Sequence, residues 1–363
     1  MKTKRIKKAP SLASQVKSKS SDKSVKSQLK KTKKKKKGAG DYKGNFDNIT
    51  STGSTELDLA ITGEVTPEGG LPSGILVELF GPNSSGKTVL LLEMGGYIQR
   101  KGGDTFFNDP EGRINTGFAK QFGYDMTNIP VKEPDTVTGV FKNFRNWDPP
   151  KNGKVHGFLI DSLAALSTDM EMDKEEGDKM GGRRGKEYSE GFRKSCREIK
   201  KNDYLMLASN QIRDSFAPVG EKFATTGGKA VGFYASVRLR LYAPEKIRTK
   251  EKKIGKKLVK KVVGTKVKVE VYKNSCDVAY RTAHIYIMNG YGIDDIRANL
   301  QYVKDYTNNN TYQVRDLKLD TSLDKACQMV ENQNLEGKLK KEVIELWHMI
   351  EDKFKIERKP KKR

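Results

Sequence analysis

The chain has 363 residues, of which 35% are hydrophobic and 32% are charged, and its mean hydropathy is −0.73. This composition suits a globular core with unfolded attachments. It argues against a membrane protein, because no apolar run approaches the roughly 18 residues that a membrane span needs. The three cysteines are odd in number and far apart, so we read them as reduced thiols of a cytoplasmic protein rather than as a disulfide framework or a metal site.

The formal net charge of +24 is concentrated at the N-terminus. Residues 1–40 hold sixteen Lys and Arg and a single acid, so this segment carries +15. We expect residues 1–47 to form a disordered basic arm and linker that tethers a polyanion such as nucleic acid. An organellar transit peptide, or a role limited to solubility or localisation, is an alternative. The transit peptide is disfavoured because the lysine run 30–37 lacks the spacing of an amphipathic helix.

Residues 48–290 predict an α/β core. Strand-sized runs that are nearly continuously apolar lie at residues 75–80, 105–108, 155–160, 204–208 and 236–242. Such runs are typical of strands buried on both faces of a parallel sheet, and the segments between them are long enough for helical crossovers. The sequence therefore predicts a mostly parallel central sheet covered by helices.

The pattern changes after this series of strands. Residues 243–263 are dominated by lysine and predict a charged hairpin or loop, while 265–272 and 283–288 alternate as strands do. Residues 291–363 predict a small C-terminal domain, α/β or helical, with a basic end. Within it, residues 335–354 place apolar side chains at helical spacing.

A glycine-lined loop follows the first predicted core strand and fits the pattern of a phosphate-binding loop. Its backbone N–H groups and the following helix N-terminus would cradle an anion. Lys87 would reach the β- and γ-phosphates of ATP, and the Thr88 hydroxyl would bind Mg²⁺. A plain surface turn is a weaker reading, because a strand precedes the loop and a helix follows it. The loop consists of Gly81, Pro82, Asn83, Ser84, Ser85, Gly86, Lys87 and Thr88.

Polar side chains follow three further predicted strands, where ligands of open α/β sheets bind. Asp161 is the natural carboxylate on the Mg²⁺ side, and Gln211 is a neutral amide that suits a γ-phosphate switch. Glu111 is the preferred residue to polarise the attacking water, with Asp109 as the alternative. A lone Asp after a strand usually marks only a turn, but three such strand ends beside one phosphate loop favour a catalytic site.

The motifs occur in a recognisable order. They lie at residues 51–54, 69–72, 81–88, 109–111, 160–166, 210–213, 225–228 and 233–239. In this order they resemble the bacterial RecA recombinases over roughly residues 48–291, about two thirds of the chain. The basic tail suggests a phage or otherwise divergent member.

The resemblance implies a RecA-type ATPase core that uses ATP and Mg²⁺ and polymerises on single-stranded DNA. Such a filament pairs with homologous duplex DNA and exchanges strands, with ATP lying between adjacent protomers. It also implies that Phe118 stacks on adenine and that Lys273 reaches the ATP of the neighbouring protomer. Lys87, Thr88 and Asp161 would hold Mg-ATP. The partners would be DNA and further copies of the chain, with single-strand-binding or mediator proteins as candidates and no membrane.

The DNA-binding loops of the family correspond to residues 175–186 and 212–228. Both contain glycine and basic residues, which bind phosphates without reading bases, although a merely solvated basic face is the alternative. The DNA-contacting residues implied are Arg183, Arg184, Lys186, Ser189, Arg193, Arg213, Lys222, Gly227 and Gly228.

The chain departs from the family pattern at three places. Ser275 replaces a second lysine, no N-terminal apolar docking helix is recognisable, and the basic residues 358–363 replace an acidic tail. These departures leave open a RecA-like, DNA-dependent ATPase that acts as a regulator or motor without strand exchange. A basic DNA-coating protein with a vestigial nucleotide site is a further alternative, which the intact catalytic residues oppose.

Overall fold

The computed structural model describes residues 44–172, 182–214, 223–249, 251–307 and 309–358. The chain forms two compact units, one over Lys43–Asn299 with Val343–Arg363 and a smaller one around Leu300–Glu342, as far as these ranges are described. The predicted basic arm, residues 1–40, lies outside the described residues. The predicted domain boundary at residue 291 stays a prediction.

Strands and helices alternate along most of the chain, and helices predominate near its C-terminal end. The strands are β1 (Asn45–Thr50), β2 (Leu71–Ser73), β3 (Ile75–Gly81), β4 (Thr105–Asn108), β5 (Val131–Lys132), β6 (Gly157–Ile160), β7 (Leu205–Asp214), β8 (Phe223–Thr225), β9 (Val237–Leu241), β10 (Glu245–Arg248), β11 (Lys252–Ile254), β12 (Lys257–Val259), β13 (Val262–Asn274), β14 (Thr282–Met288), β15 (Gly292–Ile293), β16 (Gln313–Val314) and β17 (Leu317–Lys318). The helices are α1 (Thr55–Thr62), α2 (Lys87–Arg100), α3 (Thr116–Gln121), α4 (Val137–Asn146), α5 (Asp169–Met172), α6 (Arg183–Asn202), α7 (Lys229–Tyr234), α8 (Asp295–Tyr306), α9 (Leu323–Asn332) and α10 (Glu336–Phe354).

The central sheet has the strand order β15-β14-β13-β9-β3-β7-β6-β4-β5. The strands from β9 to β5 run parallel, whereas β13, β14 and β15 pair antiparallel. This arrangement confirms the prediction of an α/β, mostly parallel sheet. The parallel strands end at one edge of the sheet, where most of the residues predicted to be catalytic lie.

The sheet separates two apolar layers. All seven residues of β3 are buried, and they alternate between the layers because successive side chains of a strand point to opposite faces. Val77 and Leu79 pack in the layer that contains residues of α1 and α2. Leu76 packs in the other layer, with residues of α4 and α6. Burial on both faces explains why these strands read as continuous apolar runs rather than alternating ones.

The Lys-rich segment forms the predicted hairpin, with β11 paired antiparallel to β12. The smaller unit contains α9 and the two-stranded β16–β17 sheet, which is consistent with the expected small α/β or helical region. Among the described residues, no helix is both long and apolar enough to cross a bilayer.

Three local predictions were wrong. Asn45 and its two successors were assigned to the linker, but they begin β1, which pairs with β2 more than twenty residues away. The range 212–228 was assigned to a loop, but β7 continues to Asp214 and pairs antiparallel with β8. The first DNA loop was extended to residue 186, whereas α6 already begins at Arg183. The strand errors arise because the paired segments are too short to show a periodic pattern, so they can be recognised only from their partners.

Candidate nucleotide and DNA site

The phosphate loop joins β3 to α2, and its two glycines are required by close packing. A Cβ atom at Gly81 would collide with the carbonyl oxygen of Leu241. Gly86 has a φ of 91°, in the left-handed region, and a Cβ atom there would meet the Ile287 side chain. Any larger residue would push the loop away from the strand ends.

The loop presents unsatisfied polar groups, as an anion site requires. Gly86 precedes α2 without a side-chain cap, so the first N–H groups of the helix remain available. The Ser85 hydroxyl oxygen is buried and has no hydrogen-bond partner within the described structure. These donors fit a nucleotide phosphate, which would satisfy them.

Lys87 opens α2 and turns back along the loop. Its Nζ donates hydrogen bonds to the carbonyl oxygens of Gly81, at 3.0 Å, and Pro82, at 2.8 Å. Burial lowers the pKa of Lys87, and the nearby carboxylates of Asp161 and Glu111 partly oppose that shift. A lysine in this position is prepared for a phosphate that would replace its lost hydration.

Asp161 stands at the end of β6 beside the loop. Its Oδ2 accepts a hydrogen bond of 2.6 Å from Thr88 Oγ1, and its Oδ1 accepts one from Ser209 Oγ. Burial raises the pKa of Asp161, and the two hydroxyl donors oppose that rise. Mg²⁺ is usually held by one or two such oxygens together with phosphate oxygens, so the Thr88–Asp161 pair fits it. The Asp161–Ser162 peptide is cis.

Glu111 and Asp109 occupy different environments. Glu111 Oε1 accepts a hydrogen bond of 2.9 Å from Ser162 Oγ, and its Oε2 lies 3.1 Å from Arg113 Nη1. Asp109 is buried, and its Oδ2 accepts a 2.7 Å hydrogen bond from the Ile114 backbone. Asp109 thus organises its own loop, while Glu111 faces the Lys87 side of the site. The choice of Glu111 over Asp109 as the residue that polarises the attacking water stays a prediction.

Gln211 pairs in register with Gly81, because β3 and β7 are neighbouring parallel strands. The amide side chain therefore begins beside the start of the phosphate loop. Ser209, two residues earlier, reaches Asp161. Sequence reasoning missed Ser209, although its place two residues before Gln211 on the same strand could have suggested it.

A network of buried charged and polar side chains surrounds Glu78 in the central sheet. Glu78, in the middle of the apolar strand β3, is fully buried. Its Oε1 accepts a hydrogen bond of 2.8 Å from Asn210 Nδ2, and its Oε2 accepts one of 2.5 Å from Arg238 Nε. Sequence reasoning missed Glu78 and Arg238, although a single glutamate within an apolar strand is a signal, since buried charges need partners.

Lys273 lies on β13, and its side chain forms hydrogen bonds within its own protomer. Its Nζ donates to the carbonyl oxygens of Gly232, at 2.9 Å, and Phe233, at 3.0 Å. Burial, and then the charge of Arg238, lower the pKa of Lys273. Phe118 is 40% exposed on α3, and its ring forms a T-shaped pair with Phe122 at a centroid distance of 4.7 Å.

Comparisons with known proteins agree with this geometry. A family profile described as the RecA N-terminal domain matches residues 22–294. The chain is 34% identical to Protein RecA of Azoarcus sp. (strain BH72) over 257 residues, which is 70% of each chain. It is 31% identical to Protein RecA of Clostridioides difficile (strain 630) over 313 residues, covering 84% of this chain and 85% of that one.

The chain belongs to the RecA family. It is a RecA-type DNA recombinase and a DNA-dependent ATPase that uses ATP and Mg²⁺. Binding to DNA and self-association into filaments come with this membership. The crystal structure of the RadB recombinase is also similar, with a TM-score of 0.47 and 19% identity over 68% of this chain and 99% of that one, which is too distant to add to the assignment.

The first segment expected to contact DNA in a RecA-family chain is the start of α6. Arg183 Nε lies 3.7 Å from Glu187 Oε1, and Arg184 Nη2 lies 2.9 Å from Glu171 Oε2. Both arginines stand at a helix N-terminus, where positive charge is unfavourable, so carboxylate partners stabilise them. Farther along the helix, exposed or half-buried side chains are Lys186, Ser189 and Arg193.

The second DNA-contacting segment follows Gln211. Arg213 is exposed on β7, and Lys222 lies outside the described residues. A Cβ atom at Gly227 would lie 2.7 Å from the Tyr188 ring of α6, so this glycine lets the two segments pack closely. Gly228 is exposed, with a φ of 60°. The two predicted DNA segments therefore meet at Gly227 and Tyr188.

Proposed function

We propose that this RecA-type protein assembles helical filaments on single-stranded DNA, pairs them with homologous duplex and exchanges strands. The observation that carries the proposal is the course of β7. Along one strand, Ser209 contacts Asp161, Gln211 lies beside the phosphate loop, and Arg213 lies where β7 begins to pair with β8. We call the paired residues 212–214 and 223–225 the DNA hairpin. A single rigid element would therefore sense nucleotide at one position and DNA a few residues later.

Each residue of the nucleotide site has a role that matches its contacts. The loop from Gly81 to Thr88 would hold the phosphates through its backbone N–H groups, with Lys87 neutralising their charge. Thr88 and Asp161 would hold Mg²⁺, which supplies charge neutralisation at the β- and γ-oxygens when bound. Ser162 fixes one oxygen of Glu111, leaving the carboxylate to orient and polarise the attacking water.

The remaining nucleotide contacts are assigned to exposed or movable side chains. Phe118 would stack on adenine. Lys273 would leave its own carbonyl partners to reach the ATP of the adjacent protomer. Gln211 would exchange hydrogen bonds when the γ-phosphate is gained or lost, which biases the hairpin that it precedes.

DNA contacts are proposed to be independent of sequence. Exposed cations would meet phosphates, and the backbone around the hairpin glycines would follow the sugar-phosphate chain. The residues proposed are Arg183, Arg184, Lys186, Ser189, Arg193, Arg213, Lys222, Gly227 and Gly228. We also propose a cytoplasmic, DNA-associated setting, with single-strand-binding or mediator proteins as further partners.

Electron microscopy with single-stranded DNA and a slowly hydrolysed ATP analogue tests the filament. We expect helical filaments for the parent chain and none for Lys87→Ala, because nucleotide would no longer be gripped between protomers. Strand exchange with labelled homologous duplex then tests the second half of the proposal. Filaments without exchange, or DNA-stimulated ATP turnover without filaments, would instead identify a regulator or motor, for which Ser275 is the supporting departure.

A further inference from the structure

Three aromatic rings connect the phosphate-loop strand to the DNA hairpin. Phe80, the residue before Gly81, stacks on Phe223, the first residue of β8, with ring centroids 5.8 Å apart and planes inclined by 26°. Tyr272 of β13 packs edge-on against both rings, at 5.5 Å from Phe80 and 5.9 Å from Phe223. We name Phe80, Phe223 and Tyr272 the ring cluster.

Two arginines of β9 hold the ring cluster in place. Arg238 Cζ lies 4.5 Å from the Phe80 centroid and 5.4 Å from that of Tyr272. Arg240 Cζ lies 4.3 Å from the Phe223 centroid and 4.7 Å from that of Tyr242. Cation–π contacts of this kind depend on the position of the charge over the ring, so they resist sliding of one ring past another.

Arg238 adds a polar connection parallel to the rings. It is bound to Glu78 two residues before Phe80, and its Nη2 lies 3.5 Å from Thr225 Oγ1 at the end of β8. Asn210 Nδ2, which also binds Glu78, donates a 3.0 Å hydrogen bond to the Thr226 carbonyl oxygen. The returning strand of the hairpin is therefore attached to β3 by a ring stack at its start and by polar contacts at its end.

The ring cluster can transmit a displacement of the phosphate loop, because Phe80 is packed too tightly to move without its neighbours. Its side chain is fully buried, and the residue that follows it begins the phosphate loop. A displacement of the loop strand has to be taken up by Phe223, which is only half-buried and pairs with Asp214 in the hairpin. Packed elements shift between discrete arrangements rather than deform continuously.

We propose that Phe223 is a positioning residue that couples nucleotide state to the conformation of the DNA hairpin, in addition to the path through Gln211. This inference rests on the proposed function, because it assumes that the hairpin contacts DNA. By linkage, the coupling has to appear equally as an effect of nucleotide on DNA affinity and of DNA on nucleotide affinity.

The test measures single-stranded DNA affinity of the full chain in ADP and in a slowly hydrolysed ATP analogue. The measured quantity is the dissociation constant for DNA in ADP divided by the dissociation constant in the ATP analogue. We expect Phe223→Ala to reduce this ratio by at least about fivefold, within the usual range of coupling between sites. Phe223→Leu, which keeps apolar volume without a ring, should behave like alanine, and Phe223→Tyr should restore the parent ratio.

A matched control is Phe354→Ala, at a phenylalanine that is 81% exposed and lies outside the ring cluster. An unchanged ratio in Phe223→Ala overturns the inference, even if DNA affinity falls equally in both nucleotide states. Phe223 would then only contact DNA or contribute to packing. A parent chain that shows no nucleotide-dependent DNA affinity contradicts the proposed function itself, so the two failures are distinguishable.

Discussion

Glu171 holds Arg184 at the first turn of α6, and both side chains are about 30% exposed or less. The carboxylate is fixed in turn, because its Oε2 also accepts a 2.7 Å hydrogen bond from the Thr168 backbone. A DNA phosphate that binds Arg184 therefore has to displace an anion that is already in place. The arginines were assigned to DNA from the family resemblance and from their charge. Their carboxylate partners depend on how α5 and α6 meet, which neither of these reveals.

Glu171→Gln should strengthen binding to single-stranded DNA. The substitution frees Arg184 for a phosphate, so we expect about two- to fivefold tighter binding at low salt, the scale of a partly exposed ion pair. The slope of log affinity against log salt should steepen by about 0.7, the value for one added phosphate contact. Asp352→Asn, which breaks the exposed Asp352–Lys355 pair at the end of another helix, is the control. Equal behaviour of the two variants in a salt titration would contradict the competition.

Lys273 provides a pH-dependent test of the contact between protomers. Burial and Arg238 lower its pKa, while Glu78 opposes the shift, so the amine loses its proton at a lower pH than an ordinary lysine. Only the charged amine stabilises phosphate. At limiting ATP, where turnover reports the ionisation of the nucleotide-free state, DNA-stimulated hydrolysis should therefore be full below the lowered pKa and decline as pH rises through it. Lys273→Arg should keep its turnover over that range, and parallel pH profiles for both chains would refute the assignment.

Elements of the fold differ in how much of their structure the sequence reveals. The limits of β3 and β4 agree with the apolar runs to within a residue, because burial on both faces leaves an uninterrupted pattern. The β7–β8 hairpin could not be predicted in the same way, since only residues 212–214 of β7 pair with β8, and so short a segment has no recognisable alternation. The phosphate loop was predictable as a local motif, whereas the Glu78–Arg238 pair joins residues 160 positions apart.

Helix α10 could likewise be predicted from its sequence pattern, whereas its contacts could not. Its helical spacing was predicted, but the residues that hold its C-terminal half are distant in sequence. Arg281 Nη2 lies 2.6 Å from Glu64 and 2.9 Å from Glu351, and its Cζ lies 5.1 Å from the Trp347 ring. Gly63 completes the contact, because a Cβ atom there would lie 2.6 Å from Trp347.

Arg281→Met should lower the free energy of unfolding by about 2–3 kcal/mol. It keeps an unbranched side chain but leaves carboxylates partly buried without their cation, which is the costly way to break an ion pair. The partial exposure of the partners reduces the effect. Lys355→Met, in an exposed pair with Asp352, should change stability by less than about 0.5 kcal/mol. Urea unfolding of both variants measures the difference, and equal losses would show that Arg281 does not secure the helix.

The excess positive charge of the molecule is concentrated towards the two ends of the chain, and we expect both ends to attract DNA. Residues 1–40 carry +15 of the +24 total, and residues 358–363 are also basic. Such segments increase affinity for any nucleic acid without selecting a sequence. We therefore expect weak self-restraint on duplex DNA compared with a chain that ends in acidic residues.

Removal of residues 1–40 and 359–363 should weaken duplex binding and flatten its salt dependence. Each phosphate contact that is lost reduces the slope on duplex DNA by about 0.9. A full-length chain in which the lysines of residues 30–37 become glutamine separates the effect of charge from that of chain length. A salt slope that stays constant in both variants would assign the arm to solubility or localisation instead.

The proposed function depends on ATP hydrolysis at the loop around Lys87 and on control of this reaction by DNA through β7. ATP turnover can be measured with and without single-stranded DNA in the parent chain, Lys87→Ala and Glu111→Gln. We expect DNA-stimulated turnover in the parent, none in Lys87→Ala, and retained nucleotide binding without turnover in Glu111→Gln. Normal turnover in Lys87→Ala, or parent turnover that is the same with and without DNA, would refute the proposed function.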